Sequence, residues 1–356
     1  MKTALIGLPQ SGKSTLFSAV SGKKIQQAGA INIQEAIVPV PDERLDFLAS
    51  LYKPEKTIYA TIDCLDVPGF NFNDSHLKIA AAKLIHNIRT VELLVFVIRA
   101  FDDPAIPPYR NSVDTKRDLQ ELKTELLLAD LELVTARIEK LEKQIHKPTK
   151  TQAQDKAELK IQQKLQQTIE AEKPISSAIE SDAELAVIKS FGFLTLKPIV
   201  IAVNVAEDQL EKKFDFEDLI DSTVPVIEIS AKLEHELSLL DTQSKNEFMA
   251  DLGLTASVVC KFVNSCYSAL GLVSFLTHGA GEVRAWPVKQ GTNAHDAAGK
   301  VHSDIKRGFI RAETFTYDDL KQFGDEKAVK AAGKTRLEGK DYIVQDGDII
   351  NFRFNV

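Results

Sequence analysis

A chain of 356 residues, 44% of them hydrophobic and 27% charged, is longer than one core usually grows and too apolar to stay unfolded, so two or three globular domains are expected. Its formal net charge of -7 excludes a global basic footprint for nucleic acid and leaves room only for local contacts. No apolar run approaches the roughly 20 residues of a membrane span, and Met1 leads straight into an apolar strand, which leaves no space for a cleavable leader; the expectation is a cytoplasmic protein without a membrane partner.

The first strand, Thr3–Gly7, runs into Gly7-Leu-Pro-Gln-Ser-Gly12-Lys13-Ser14 and then an amphipathic helix from Ser14 to Val20. This is the G-x-x-x-x-G-K-[ST] pattern in the setting it requires. Its glycines let backbone N–H groups face phosphate oxygens, Lys13 reaches the β- and γ-phosphates, and the Ser14 hydroxyl can ligate Mg²⁺. Pro9, Gln10, Ser11, Gly12, Lys13, Ser14 and Thr15 are therefore the expected phosphate-binding residues. The strand Thr61–Asp66 closes on Asp66-Val-Pro-Gly69. An Asp at a strand tip beside such a loop holds Mg²⁺ through water, and Gly69 can offer its N–H to a γ-phosphate; a plain turn ending a buried strand would read the same way.

After the strand Leu93–Arg99, the segment from Asp114 to about Ser181 is charged and almost free of Gly and Pro. Two helical stripes run through it: Leu119, Leu122, Leu126, Ala129, Leu133 and Ala136, and beside them Leu127, Leu131, Val134, Ile138, Leu141 and Ile145. Pro148 interrupts the period and Ile161, Leu165 and Ile169 resume it, which predicts an inserted antiparallel helical hairpin. Twelve Lys/Arg against eleven Asp/Glu from Thr115 to Lys173 read equally as a solvated helical surface or a coiled-coil arm.

Two further strands, Pro198–Asn204 and Val224–Ile229, end on Asn204-Val-Ala-Glu207 and Ser230-Ala-Lys232. These occupy the places where GTPases read the base with N-K-x-D and S-A-K, so Asn204, Val205, Glu207, Ser230 and Ala231 are expected at the nucleotide. Glu207 carries one methylene more than Asp, and Val205 stands where a lysine would pack on the base. Guanine discrimination should weaken, with Asn204 and backbone groups reading an adenine N6/N7 edge. Asn204 and Glu207 merely capping the next helix is the other reading. From Ser274 the chain turns to short β runs, Glu282–Pro287, Phe309–Thr316, Asp341–Val344 and Ile349–Asn355, with an Asp346-Gly347 turn signal. Here Arg284, Trp286, Lys306, Arg307 and Arg311 could meet RNA, or Trp286 could be core; thirteen Lys/Arg against twelve Asp/Glu from Ser274 do not decide it. Cys64, Cys260 and Cys266 lack metal-site spacing and read as buried structural thiols in a reducing compartment.

Over nearly its whole length the chain resembles the YchF subfamily of Obg-like ATPases. The stretches that carry the resemblance are GLPQSGKSTLF, IVPVPDERLDFLA, DVPG, the HNIR to VIRAFDDP passage, TELLLADLE and KPIVIAVNVAE. At the C-terminus, GEVRAWPVKQGTNAHDAAGKVHSDIKRGFIRAE and RLEGKDYIVQDGDIINFRFNV resemble that family's TGS domain, a β-grasp module. The resemblance implies an α/β P-loop NTPase with a Ras-like G domain, an inserted α-helical coiled-coil hairpin and a C-terminal α+β TGS domain. The boundaries are then 1–113 and 182–273 for the two parts of the G domain, 114–181 for the insertion and 274–356 for the TGS domain. It implies Mg²⁺-dependent hydrolysis of ATP in preference to GTP and association with the ribosome or RNA through the TGS domain and helical arm.

Departures from the family pattern fall on the switches. Ala30 stands where a Mg²⁺-ligating threonine is usual, in a shortened loop. Phe70 matches the family's apolar residue after D-x-x-G, but the stretch that follows is nearly free of glycine, and His76 falls one position from the family's histidine. Lys13, Gly69 and His76 are the catalytic candidates, His76 being equally readable as an exposed histidine at a helix start. Two functions follow: a slow nucleotide-switched ATPase, or a translation-associated binding module with little hydrolysis. A small-molecule kinase sharing only the phosphate loop fits the paired base-loop motifs poorly.

Overall fold

A computed structural model describes residues 1–24, 33–69, 78–146, 150–251, 257–279 and 281–355. In chain order the strands are β1 (Lys2–Ile6), β2 (Gln34–Pro39), β3 (Lys56–Ile58), β4 (Thr61–Asp66), β5 (Leu93–Arg99), β6 (Ile199–Asn204) and β7 (Val226–Ile229), then β8 (Leu272–His278), β9 (Glu282–Lys289), β10 (Phe309–Thr316), β11 (Arg336–Glu338) and β12 (Asp348–Phe354). The first helices are α1 (Lys13–Ser21), α2 (Glu43–Tyr52), α3 (Lys78–Arg89), α4 (Thr115–Gln144) and α5 (Gln152–Glu170). The chain divides into two compact units, residues 1–36 with 63–259 and residues 37–62 with 260–356.

In the first unit the described strands form a sheet of order β2-β4-β1-β5-β6-β7. From β4 to β7 all neighbours are parallel. Every residue of β5 is buried, as the central strand of a sheet covered by helices on both faces requires. Register aligns the strand tips: Leu5 pairs with Asp66, Ile6 with Phe96, Arg99 with Asn204, and Asn204 with Ile229. All the predicted motif loops therefore leave one edge of the sheet, where such folds bind ligands.

Helix α4 does two jobs along its 30 residues. Its first stripe, Leu119, Leu122, Leu126 and Ala129, is buried in the core beneath the sheet, but Leu133 is only half-buried and Ala136 is exposed. The second stripe then takes over: Val134, Ile138 and Leu141 pack with Leu159, Leu165 and Ile169 of α5, and Arg137 reaches Glu158 at 2.6 Å and 2.7 Å. On α5 the expected Leu165 and Ile169 lie in the seam, but Ile161 is half-buried and Gln162 beside it is fully buried, its amide without a hydrogen-bond partner. Where the arm leaves the sheet, the fully buried Asp130 accepts from Arg89 Nη1 (2.7 Å), Leu194 N (3.1 Å), Thr195 N (2.9 Å) and Thr195 Oγ1 (2.9 Å). Arg89 also donates to Ala129 O at 2.9 Å. One carboxylate thus ties α3, α4 and the approach to β6 together.

The second unit is built on a mixed sheet of order β11-β10-β12-β8-β9-β3, with β12 parallel to β8, β3 parallel to β9 and the remaining neighbours antiparallel. Residues 37–62, which sequence order assigns to the first part of the G domain, cluster in this unit. Lys56–Ile58 pair with Glu282–Arg284, Arg44 reaches Asp346 at 2.6 Å, and Tyr52 stacks on His278 with centroids 4.6 Å apart. The expected strand Asp341–Val344 is absent; Ile343 makes only an isolated bridge to Asn293, and the short strand lies earlier, at Arg336–Glu338. The strand Leu272–His278 begins ahead of the expected domain start at Ser274; Gly271, left-handed at φ 57°, ends the preceding helix Val258–Leu270 and the apolar run goes on as strand. Trp286 is half-buried against the core, with Arg284 over its ring at 3.9 Å, while Lys306 and Arg307 are paired with Asp296 and Asp304. Arg284, Lys306 and Arg307, three of the residues expected to meet RNA, thus have partners within the unit. Cys64 and Cys266 are buried and Cys260 is half-buried. Among the described residues no helix is long and apolar enough to cross a membrane.

Two stability measurements check this packing. Asp130→Ala removes the fully buried partner of the half-buried Arg89 and of the Leu194 and Thr195 N–H groups and should cost about 3–5 kcal/mol in urea unfolding. Gln162→Leu, which replaces an unpartnered buried amide with a hydrocarbon of similar size, should stabilise the arm by about 1–2 kcal/mol.

Candidate nucleotide-binding site

The loop between β1 and α1 is shaped by backbone conformations that few residues tolerate. Gln10 has φ 62° and Gly12 φ 84°, both left-handed. Gly12 is the N-cap of α1. A Cβ there would lie 2.0 Å from Asn204 Nδ2, so even without the torsional strain no side chain fits. Gly69 is favoured for a different reason: a Cβ on it would stand 3.2 Å from Pro9 Cα, a tight contact with backbone that glycine avoids where the Asp66-Val-Pro-Gly69 turn packs on the phosphate loop.

Asn204 holds the three motifs in one arrangement. Buried at the tip of β6, it donates from Nδ2 to Ser11 O at 3.0 Å and accepts at Oδ1 from Ala231 N at 3.0 Å. Its own carbonyl accepts from Ala100 N at 2.8 Å. The turn Glu207–Gln209 has Ala206 at its N-cap and no side-chain cap, so Asn204 is a brace between loops, not a helix cap. Its amide, expected to read a base edge, is engaged with the protein at both ends. Val205 is buried and bonds through its N–H to Ile229 O at 2.8 Å. Glu207 is exposed. Ser230 is the N-cap of the helix Ala231–Ser238 and accepts from Leu233 N at 3.4 Å.

Lys13, on the first turn of α1, and Asp66, at the tip of β4, are 7% and 8% exposed, with Nζ 3.5 Å from Oδ1. Burial pulls the Lys13 ammonium below the usual lysine range, and the Asp66 charge partly restores it. Asp66 Oδ1 is buried without a hydrogen-bond partner. A buried, unsatisfied carboxylate oxygen beside the first turn that carries Ser14 and Thr15 is a donor set that fits a hard divalent cation. Ala30, Phe70 and His76 lie outside the described residues.

Two residues of this edge were missed from sequence. Arg99, 3% exposed, donates to Phe101 O at 3.1 Å and Ile106 O at 2.7 Å and lies 4.3 Å over the Phe101 ring. It folds the loop after β5 so that Phe101 comes within 3.8 Å of where a Gly12 Cβ would be. Its signal was an arginine ending the otherwise apolar run Leu93-Leu-Val-Phe-Val-Ile98.

The parallel sheet, the phosphate loop at its edge and the braced loops after β6 and β7 define a P-loop nucleotide-binding protein with a G-type domain. Comparison with known proteins narrows the class. A family model described as a 50S ribosome-binding GTPase matches residues 2–179, and the YchF-GTPase_C model, described as a protein of unknown function (DUF933), matches residues 272–355. The chain is 37% identical to the ribosome-binding ATPase YchF of Bacillus subtilis (strain 168), over 100% of both chains. It is 36% identical to the Obg-like ATPase 1 of Oryza sativa subsp. japonica, covering 100% of this chain and 92% of that one. The solved structure of the Schizosaccharomyces pombe YchF GTPase superposes with a TM-score of 0.81 at 31% identity, over 99% of this chain and 97% of that one. The chain belongs to the YchF/Obg-like ATPase family.

The brace has a measurable weight. Asn204→Ala leaves the buried Ser11 carbonyl and Ala231 N–H unmatched and should cost about 2–4 kcal/mol in denaturant unfolding, with a loss of nucleotide affinity in the same variant.

Proposed function

We propose that the chain is a Mg²⁺-dependent nucleoside triphosphatase that hydrolyses ATP in preference to GTP and acts as a cytoplasmic switch associated with the ribosome or RNA. The observation that carries the reading is the buried Lys13–Asp66 pair beside a phosphate loop whose Gly12 has no room for a side chain and against which the turn at Gly69 packs closely. Relatives named ribosome-binding ATPases support it at full length. On this reading the chain keeps the division at 113, 181 and 273, with the TGS domain and helical arm as the docking parts.

Lys13 neutralises charge on the β- and γ-phosphates, the backbone of Pro9 to Thr15 cradles them, and the Gly69 N–H meets the γ-phosphate. Ser14 and Asp66 would hold Mg²⁺, which when bound offsets phosphate charge and orients the oxygens. Asn204 keeps the cradle and the Ser230-Ala231 loop in register around the base, while Val205 and Glu207 relax the demand for guanine. Water attacks the γ-phosphorus as its bond to the bridging oxygen breaks; Phe70 cannot orient that water, and His76 is the candidate that would. A second reading, nucleotide binding with little turnover, is favoured by Ala30 in place of a hydroxyl and by the nearly glycine-free stretch after Gly69.

Steady-state hydrolysis of Mg·ATP and Mg·GTP by the full chain tests the proposal. ATP should be the better substrate by kcat/KM, and Lys13→Ala should lower kcat/KM by about 100-fold or more. Turnover that ignores Lys13→Ala would sink it. Tight ATP binding without turnover, with ribosome pelleting indifferent to nucleotide, would favour the second reading.

A further inference from the structure

We infer that the open face of β10, β11 and β12 docks an acidic protein segment through Arg311, Arg353 and Leu337. The inference rests on the docking role proposed for this domain and adds the chemistry of what it meets.

Strand register sorts these side chains. Arg311 lies directly opposite Arg353, and Glu313 stands between Asn351 on one neighbouring strand and Leu337 on the other, so alternation puts all five on one face of the sheet. The opposite face belongs to the core: Ala312, Ile350 and Phe352 pack with Ala294, Ala297 and Ala298 of the helix Ala294–Val301. On the open face Arg311, Asn351 and Arg353 are exposed, and Leu337 is 58% exposed.

Charge on this face is unbalanced. Of the five residues only Glu313 is acidic, and it is already engaged: Arg353 donates to it at 2.7 Å and 3.1 Å, and Lys330 of the helix Glu326–Ala331 reaches it at 3.4 Å. Among the described residues Arg311 forms no ion pair; its Nη1 lies 3.4 Å from where a Gly339 Cβ would be. Like charges directly opposite on paired strands repel. Three cations thus surround one carboxylate, in a chain whose net charge is -7. A carboxylate brought by a partner would meet Arg311 in the forked geometry that a guanidinium favours and offset the repulsion from Arg353.

The surroundings favour protein over nucleic acid. The exposed stretch of this face offers no aromatic ring for a base to stack on, and at its centre Leu337 presents an apolar contact that a phosphate backbone does not use. Arginines around an apolar centre suit a protein interface. One substitution separates docking from folding, because Arg311→Glu gives Arg353 a partner within the domain and faces an acidic ligand with a like charge.

The test uses the full chain with three labelled probes: an alternating Glu-Leu heptapeptide, its Gln-Leu counterpart and a uridine decamer. Wild type should bind the acidic peptide about tenfold more tightly than either of the others. Arg311→Glu should abolish that preference while raising the urea midpoint read from the fluorescence of Trp286, the one tryptophan of the chain. Arg311→Gln, a milder change, should weaken the acidic peptide without lowering the midpoint. Acidic-peptide binding that ignores both substitutions, a preference for the decamer, or a wild type that binds no probe overturns the inference. A wild type that fails to pellet with ribosomes sinks the proposed docking role instead, so the two failures are distinguishable.

Discussion

The arrangement of the nucleotide site depends on one buried carboxamide. Asn204 donates to Ser11 O and accepts from Ala231 N, each at 3.0 Å, so a strand tip, the phosphate loop and the loop after β7 share one rigid joint. The left-handed Gly12 is fixed from the same side, since Asn204 Nδ2 fills the space where its Cβ would be. A carboxylate in place of the amide would turn the donor into an acceptor facing a carbonyl. A longer amide would not fit the gap. The residue is determined by the backbone around it before any ligand is considered.

The parts of the fold that were legible in the sequence are those in which a local pattern and the tertiary demand coincide. The strands β1, β4, β5 and β6 are short apolar runs, all but β5 ending on motifs, and they lie within two residues of where sequence placed them. The arm was legible as a period, but the division of α4 between two cores was not: the first stripe serves the sheet and the second serves α5, and nothing in a helical repeat says which partner each face meets. The same limit explains residues 37–62. Their strand β3 pairs with β9, more than 220 residues later, and a three-residue edge strand carries no periodicity that could reveal so distant a partner.

At the site, identity was more legible than role. Lys13, Ser14 and Asp66 stand where the motif spacing predicts. Asn204 was recognised for a base contact and not for its bonds to Ser11 O and Ala231 N, because a base-reading motif and a loop brace look alike in one dimension. Arg99 was passed over because a strand-terminal arginine is ordinarily a solvated one; here its guanidinium is satisfied by the carbonyls of Phe101 and Ile106, a partner set that exists only once the loop has folded back.

These contrasts divide the site into a firm half and a permissive one. On the proposed reading, the phosphate half is Gly12, which excludes a side chain, Gly69 packed closely on Pro9, and the buried Lys13 and Asp66, so small changes there meet packed atoms. Around the base, Glu207 is exposed, Val205 contributes its backbone to β7 and its side chain to the core, and Asn204 is already committed to the protein. Discrimination between purines needs donors and acceptors held against the wrong base, and fewer such groups are held here than for the phosphates. Affinity would then come mainly from the phosphate half, and selectivity for adenine from a relaxed requirement for guanine more than from a dedicated adenine reader.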